Sequence, residues 1–302
     1  RVMVLDGAMG TMIQRYGLTE ADFRGERFKD IPGQMKGNND LLCLTRPDVI
    51  EEIHRKYLEA GADIIETNTF NATAVSMADY HVQEFCREIN LVAAKLARKL
   101  ADEYTLKNPA KPRFVAGSVG PTNKTCSMSP DVNNPAFRAL TFDGLKDAYC
   151  EQMEALLEGG VDALLIETIF DTLNAKAAIA AAEESMEKLG RKVPLMLSVT
   201  VSDIAGRTLS GQTLEAFLAS MQHAPIFSIG LNCSFGARQL KSFLEVLAKR
   251  APYYISAYPN AGLPNSLGQY DQTPDDMAAE VDEFLKEGLV NIIGGCCGTT
   301  DE

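Results

Sequence analysis

The sequence predicts an α/β fold, a single-domain (β/α)8 TIM barrel, on the strength of three observations. Eight short apolar or β-branched segments recur along the 302 residues. Segments with apolar residues at helical spacing lie between them, and polar residues or cysteines follow the predicted strands directly. Strand and helix alternating eight times is typical of such a barrel, and a doubly wound open sheet is the alternative.

The predicted elements follow from runs of consecutive apolar residues for strands and from three- and four-residue spacing for helices. The strands are Val2–Leu5, Asp63–Glu66, Arg113–Gly117, Ala163–Glu167, Leu195–Thr200, Phe227–Leu231, Tyr253–Ala257 and Val290–Gly294. The clearest helices are Asp48–Ala60, Val82–Glu103, Phe142–Glu158, Thr172–Leu189 and Pro274–Lys286. Thr213 and Thr273 stand at helix N-cap positions, and Pro274 suits a first helical position.

Two irregular segments, Gly17–Leu44 and Ser118–Ala139, are predicted to be long loops after the first and third strands. The sequence stops at Glu302, a few residues beyond the eighth predicted strand, and begins at Arg1 without an initiator Met. We therefore expect a fragment of a longer protein in which residues 1–302 form one barrel domain without its final helix.

Composition narrows the classes of function. The formal net charge of −12 and the scattered lysines and arginines argue against a nucleic-acid partner. The apolar runs are too short to span a bilayer, and the N-terminal residues do not resemble an export signal. Seven cysteines without a regular framework suggest free thiols in a reducing compartment, so we expect a cytoplasmic protein.

Residues whose side chains could bind a ligand or take part in a reaction fall at or just after the carboxyl ends of the predicted strands. They are Asp6, Glu66, Ser118, Glu167, Cys233, Asn260, Cys296 and Cys297. A barrel brings these strand ends together at one mouth, where barrel enzymes keep their active sites.

Three of the cysteines, Cys233, Cys296 and Cys297, are predicted to be thiolate ligands of one zinc ion with an open fourth position. The alternatives are buried small apolar residues and a vicinal disulfide between Cys296 and Cys297. The other cysteines have no partner pattern and are interpreted as buried; they are Cys43, Cys86, Cys126 and Cys150. Because zinc deprotonates a bound thiol, the expected reaction is alkyl transfer onto a substrate thiol.

Asp6 and the turn that follows it suit an amino-acid substrate. The Asp6 carboxylate can pair with an ammonium group, and backbone N–H groups of Gly7 and Ala8 can hold a carboxylate. The alternative is that Asp6 caps a short helix over residues 9–16. Glu167 is predicted to be functional because a carboxylate at the end of an apolar strand needs a partner, and the role of Glu66 stays open.

Asn260 follows the seventh strand, between the strands that carry the cysteines. Its amide oxygen would suit the open zinc position without substrate, and a turn role is equally compatible with its context. The three histidines, His54, His81 and His223, do not fall at strand ends, so an acid or base based on histidine is not supported.

Several motifs together resemble the zinc-dependent homocysteine S-methyltransferases over nearly the whole chain. They are Leu5–Thr11, Glu66–Phe70, Gly117–Pro121, Glu167–Asp171, Gly230–Cys233 and Gly294–Gly298. Within the family, Lys36–Asp40, Gly120–Thr125 and Gly206–Thr213 are most similar to the homocysteine-binding module of cobalamin-dependent methionine synthase. Members that use betaine or S-methylmethionine are less similar in these three segments.

The resemblance implies that zinc, held by the three cysteines, activates the thiol of homocysteine and that methionine is the product. It also implies that Asp6 and Glu167 lie near the substrate amino group. The amides after Asp6 and the Ser118 loop would lie near its carboxylate. Methylcobalamin would be the methyl donor, carried with folate by other modules of the same polypeptide. A stand-alone methyltransferase using betaine or S-methylmethionine, and a zinc scaffold without catalysis, are the alternatives.

Overall fold

Eight parallel strands form the barrel in the computed structural model, which describes residues 1–302. The strands are β1 (Met3–Val4), β2 (Ile64–Glu66), β3 (Phe114–Val119), β4 (Ala163–Ile169), β5 (Leu195–Val199), β6 (Ile226–Gly236), β7 (Tyr254–Asn260) and β8 (Ile292–Ile293). Their order in the sheet is β1-β8-β7-β6-β5-β4-β3-β2. A parallel bridge between Leu5 and Ile64 joins the two ends, so the predicted barrel is confirmed and the open sheet is not observed.

Helices alternate with the strands and cover the outside of the barrel. They are α1 (Met9–Gln14), α2 (Glu20–Arg24), α3 (Leu42–Thr45), α4 (Pro47–Ala60), α5 (Ala74–Met77), α6 (Cys86–Lys107), α7 (Phe142–Glu158), α8 (Thr172–Leu189), α9 (Leu214–Met221), α10 (Ala237–Arg250) and α11 (Pro274–Lys286). Side-chain caps fix several starts: Thr213 accepts from the amide of Ala216, and Thr273 from that of Asp276. None of the helices is both long and apolar enough to cross a membrane.

The core has two layers. A large cluster of 68 buried residues lies mainly between the sheet and the helices. A second cluster fills the barrel interior with one side chain from each of seven strands or their ends: Leu5, Ile64, Ala116, Leu165, Met196, Tyr258 and Ile292. The remaining strand, β6, carries Gly230, where a Cβ atom would lie 2.0 Å from the carbonyl oxygen of Ser256. The interior is therefore packed, and ligand space is left only near a mouth.

The structure corrects several predicted boundaries. The predicted loop Gly17–Leu44 contains α2, a 3-10 turn at Asn39–Leu41 and the start of α3. A capping box between Thr19 and Asp22 starts α2 and is the local signal that was overlooked. The helix predicted over Val82–Glu103 begins at Cys86, after a 3-10 turn, and β6 extends to Gly236. Residues 294–302 contain no helix, as predicted.

Candidate active site

A pocket of about 870 Å³ opens where the carboxyl ends of the strands meet. It brings together nine of the residues singled out from the sequence: Asp6, Gly7, Ala8, Glu66, Ser118, Glu167, Cys233, Cys296 and Cys297. Asn260 lies at the end of β7 but is not among the lining residues. Its Oδ1 atom is buried without a hydrogen-bond partner. None of the histidines lines the pocket.

The three cysteines form a compact group whose Sγ atoms lie within 4.8 Å of one another. Cys233 and Cys297 are the measured pair, with 3.9 Å between their Sγ atoms. Thiolates at about 2.3 Å from a tetrahedral zinc would stand ~3.8 Å apart. The spacing of the three thiols therefore fits a zinc ion. All seven cysteines of the chain are free of disulfides. Cys43, Cys86, Cys126 and Cys150 are buried, as predicted.

Local backbone geometry turns Cys233 toward the mouth. Cys233 and Ser234 have φ angles of 62° and 61°, a left-handed conformation that is costly for residues other than glycine. The register between β6 and β7 shifts between Asn232 and Gly236 at the same place. The strained backbone and the register shift therefore coincide with the residue that brings a thiol into the pocket.

The loop after β8 supplies the other two thiols in a closely packed turn. The backbone amide of Cys296 donates to the carbonyl of Pro259 at 2.7 Å, and the backbone carbonyl of Cys297 accepts from the amide of Ala261 at 2.9 Å. Only glycine fits at position 295, because a Cβ atom there would lie 2.2 Å from Thr299. The tight packing against Thr299 therefore requires a glycine at this position of the turn.

The three thiols do not ionise equally. Hydrogen bonds from Cys233, then from Cys296, lower the pKa of the Cys297 thiol well below its ordinary value. The pKa of Cys296 is raised, first by its hydrogen bond with Cys233 and then by that with Cys297. Neighbouring sulfur atoms cannot all carry a negative charge without a cation between them. The group accordingly favours a bound metal cation.

Three carboxyl groups that line the pocket lie close to one another: those of Asp6, Glu66 and Glu167. The amide of Glu66 donates to Asp6 Oδ2 at 3.0 Å. Asp6 Oδ1 and Glu66 Oε1 are buried without a partner. Burial raises the pKa of all three groups, and repulsion from Glu167 adds to the shift for Asp6 and Glu66. A cationic group bound among them would relieve both effects.

Glu167 is the best anchored of the three carboxylates. Ser118 donates a hydrogen bond to its Oε1, and the Tyr258 hydroxyl donates to its Oε2 at 2.9 Å. These bonds lower its pKa, against the dominant effect of burial. Glu167 is therefore held in one orientation at the base of the pocket.

The turn after Asp6 presents free backbone donors. The amides of Gly7 and Ala8 make no hydrogen bond within the protein. The Tyr57 hydroxyl donates to the carbonyl of Ala8 at 2.9 Å and fixes the turn. Asp6 does not cap α1, whose N-cap residue Ala8 has no side-chain cap, so the capping alternative is excluded. The turn suits a carboxylate.

Asn232 connects the carboxylate side of the pocket to the thiols. Its Oδ1 accepts from the Thr168 amide at 3.1 Å and from the Ser198 hydroxyl at 2.7 Å. Its Nδ2 donates to the Thr168 hydroxyl at 2.9 Å and lies 4.0 Å from Cys296 Sγ. Thr168, next to Glu167, has a φ of 55°. The buried Asn232 side chain thus stabilises the left-handed backbone at Thr168 and directly precedes the left-handed backbone at Cys233.

Sequence reasoning missed Asn232, Tyr258 and Tyr270. Tyr258 lies within β7, two positions before the last residue of that strand, Asn260. Tyr270 lines the pocket from the loop after β7, and its hydrogen bond contributes to the low pKa of Cys297. No pattern in the sequence marks Tyr270, because the loop places it by tertiary contact.

Comparison with known proteins gives a consistent result. A family model described as "Homocysteine S-methyltransferase" matches residues 3–302. Among solved structures, the metallated form of the homocysteine methyltransferase MmuM from Escherichia coli is 23% identical. The alignment covers 99% of this chain and 93% of that chain with a TM-score of 0.75. The oxidized form of the same protein is also 23% identical, with 99% and 92% covered and a TM-score of 0.76. At this identity, the structural likeness supports the barrel fold.

Proposed function

This chain belongs to the homocysteine S-methyltransferase family, and we propose that it is the homocysteine-binding module of a cobalamin-dependent methionine synthase. The reaction is methyl transfer from methylcobalamin to the thiol of homocysteine, giving methionine. Other modules of the same polypeptide would carry the cobalamin and the folate. The observation that carries the proposal is the group of three thiols within 4.8 Å in the same pocket as three buried carboxyls. Free thiols of this kind fit a reducing cytoplasm.

Cys233, Cys296 and Cys297 would hold the zinc ion, as their spacing allows. When bound, zinc lowers the pKa of a substrate thiol so that the sulfur is nucleophilic at neutral pH. A trithiolate set leaves the site electron-rich, which suits alkylation of sulfur and not polarisation of a carbonyl.

The chain's own residues orient the amino-acid end of homocysteine. Asp6 and Glu167 accept hydrogen bonds from the substrate ammonium, and Ser118 and Tyr258 keep Glu167 in place. The free amides of Gly7 and Ala8 and the Ser118 loop hold the substrate carboxylate. Fixing this end directs the thiol toward the cysteines, and such positioning lowers the entropic part of the barrier.

The transfer itself balances simply. The thiol proton is released to solvent before attack. A sulfur lone pair then forms the new S–CH3 bond, and the bond between the methyl group and its donor breaks with its electron pair left on the donor. Asn260, whose buried Oδ1 has no partner, remains a candidate for the open metal position in the absence of substrate.

Two other functions are distinguishable by experiment. The first is a stand-alone methyltransferase that uses betaine or S-methylmethionine, and the second is a zinc scaffold without catalysis. Homocysteine titration before and after chelation, followed by assays with methylcobalamin, betaine and S-methylmethionine, separates them. The proposal expects zinc-dependent binding and turnover with methylcobalamin. Unchanged affinity in the metal-free protein would contradict the mechanism.

A further inference from the structure

A second cavity, of about 390 Å³, adjoins the main pocket and has no part in the binding of homocysteine described above. Asn39, Asp40 and Asn71 line both spaces. The side cavity is lined by Gly37, Asn38, Asn39, Asp40, Asn71, Ser76, Asp79, Tyr80, Pro121, Thr122, Asn123 and Phe170. It therefore lies beside the thiols' pocket on the side of the loops that follow β1, β2 and β3.

Asp40 is the central polar group of this side cavity. Only 3% of the residue is exposed. Its Oδ2 accepts from the Asn71 amide at 2.7 Å, and its Oδ1 has no hydrogen bond within the protein. Burial raises the pKa of Asp40 to about 7. Asp40 Oδ1 is therefore free to accept a hydrogen bond from a ligand in the cavity that Asp40 lines.

The other residues that line the side cavity indicate which chemical groups it could bind. Four asparagine side chains contribute carboxamides, Asp79 contributes a second carboxylate beside Asp40, and no lysine or arginine lines the cavity. Asn38 is almost fully buried, and its Oδ1 also lacks a partner. Anionic groups are therefore disfavoured in this cavity. Neutral groups that both donate and accept hydrogen bonds, carboxamides above all, match an amide-rich wall.

The same cavity gathers sequence motifs that the binding of homocysteine leaves unexplained. Two of the three segments that resemble the cobalamin-dependent enzyme, Lys36–Asp40 and Gly120–Thr125, supply about half of the lining. The third, Gly206–Thr213, packs behind it, where the Ser210 amide donates to the carbonyl of Phe170 at 3.1 Å. Segments distant in sequence thus converge on one wall beside the site of methyl transfer.

We propose that the side cavity is a donor subsite in which Asp40 and the surrounding asparagines bind carboxamide side chains at the edge of the methyl-carrying corrinoid. This inference rests on the proposed function. The cavity is too small for a whole corrin ring, so it receives peripheral groups while the methyl group faces the main pocket. Asp40 then acts as a binding and orienting residue for the donor.

The test uses free methylcobalamin as the probe, with the zinc-loaded protein and saturating homocysteine. Asp40→Asn keeps the shape of the side chain but places an N–H group where an acceptor faced the cavity, and Asn123→Leu makes the exposed edge apolar. We expect the KM for methylcobalamin, and its Kd measured by cobalamin absorbance without homocysteine, to rise about tenfold or more in Asp40→Asn, the range for one lost hydrogen bond to a charged group. In Asn123→Leu both should rise about threefold or more, the range for a hydrogen bond between neutral groups. Homocysteine affinity and zinc content stay within twofold of the wild type. Asp131→Asn, at an exposed position in the same loop as Asn123 but outside the cavity, is the matched control.

The outcomes separate this inference from the proposed function. A methylcobalamin KM within twofold of the wild type in both variants would overturn the donor subsite while leaving the function intact. An equal loss of homocysteine affinity in Asp40→Asn would place Asp40 in the homocysteine site and also overturn it. If the wild type methylates homocysteine from S-methylmethionine and not from methylcobalamin, the choice of donor is wrong and the subsite fails with it.

Discussion

The Sγ atoms of Cys233 and Cys297 lie 3.9 Å apart, although the two residues are 64 positions apart in the sequence. Cys233 belongs to β6 and Cys297 follows β8, so β7 lies between the strands that carry them. The pair therefore forms only when the barrel closes in its observed order. The cluster of three thiols is a property of the complete fold and not of a local motif.

Cys297→Ser should remove zinc and methyl transfer together. A hydroxyl is a much poorer zinc ligand than a thiolate, so zinc affinity should fall by more than about 100-fold, the upper range for losing a partner of a metal ligand. Competition with a chromogenic chelator measures this affinity. Cys150→Ser, at a buried thiol outside the pocket, is the control and should keep its zinc. Retained zinc and activity in Cys297→Ser would exclude this residue as a ligand.

Glu167→Gln should weaken homocysteine binding with little effect on the metal. The amide keeps a partner for Ser118 or Tyr258 but loses the charge that pairs with the substrate ammonium. The expected loss is about 1.5–3 kcal/mol, or roughly 10–100-fold in Kd. Calorimetric titration of the zinc-loaded protein measures it, with the exposed Glu184→Gln as control. Equal affinities in the two variants would remove Glu167 from the substrate site.

Asn232→Asp should disturb both sides of the pocket at once. The substitution puts a carboxylate oxygen where an amide nitrogen faces Cys296, and repulsion should lower zinc affinity about 10–100-fold. Ser198→Ala removes one hydrogen bond to Asn232 without touching a thiol, so its zinc affinity should change by less than about threefold. The sulfur-to-cobalt charge-transfer bands of the cobalt-substituted protein should shift only in Asn232→Asp. Identical behaviour of both variants would indicate a purely structural role.

Glu66→Gln should stabilise the metal-free, substrate-free protein at neutral pH. Burial raises the pKa of Glu66, so between the unfolded pKa and the raised folded pKa the folded state binds more protons than the unfolded state. Glu66 thus costs stability progressively as pH rises through that window, and the cost is absent below it. The variant should unfold with a free energy about 1–2 kcal/mol higher at pH 8 and nearly unchanged at pH 4.

Urea denaturation at the two pH values measures this difference. The exposed Glu84→Gln is the matched control and should show no gain at either pH. A gain for Glu66→Gln that does not depend on pH would mean that ionisation of Glu66 is not its source.

The barrel and most of the pocket were predictable because seven of the eight predicted strand ends carried a signal of their own. Polar residues directly after apolar runs identified Asp6, Glu167 and the cysteines, and the barrel topology brought them together. Asn232 was not distinguished, because its role depends on contacts with β4 and β5 that only the fold creates. Tyr270 reaches the thiols from an irregular loop, where no periodicity constrains position. Helix α2 was missed because its capping box was overlooked within a segment rich in turn-forming residues.

The central claim is that the three cysteines hold a zinc ion whose open position is filled by the sulfur of homocysteine. X-ray absorption at the zinc edge, recorded with and without homocysteine, tests this directly. The account predicts three sulfur neighbours of zinc in the free protein and four in the presence of homocysteine. An unchanged count of three with homocysteine bound would contradict it, because the substrate thiol would then be activated by something other than this metal site.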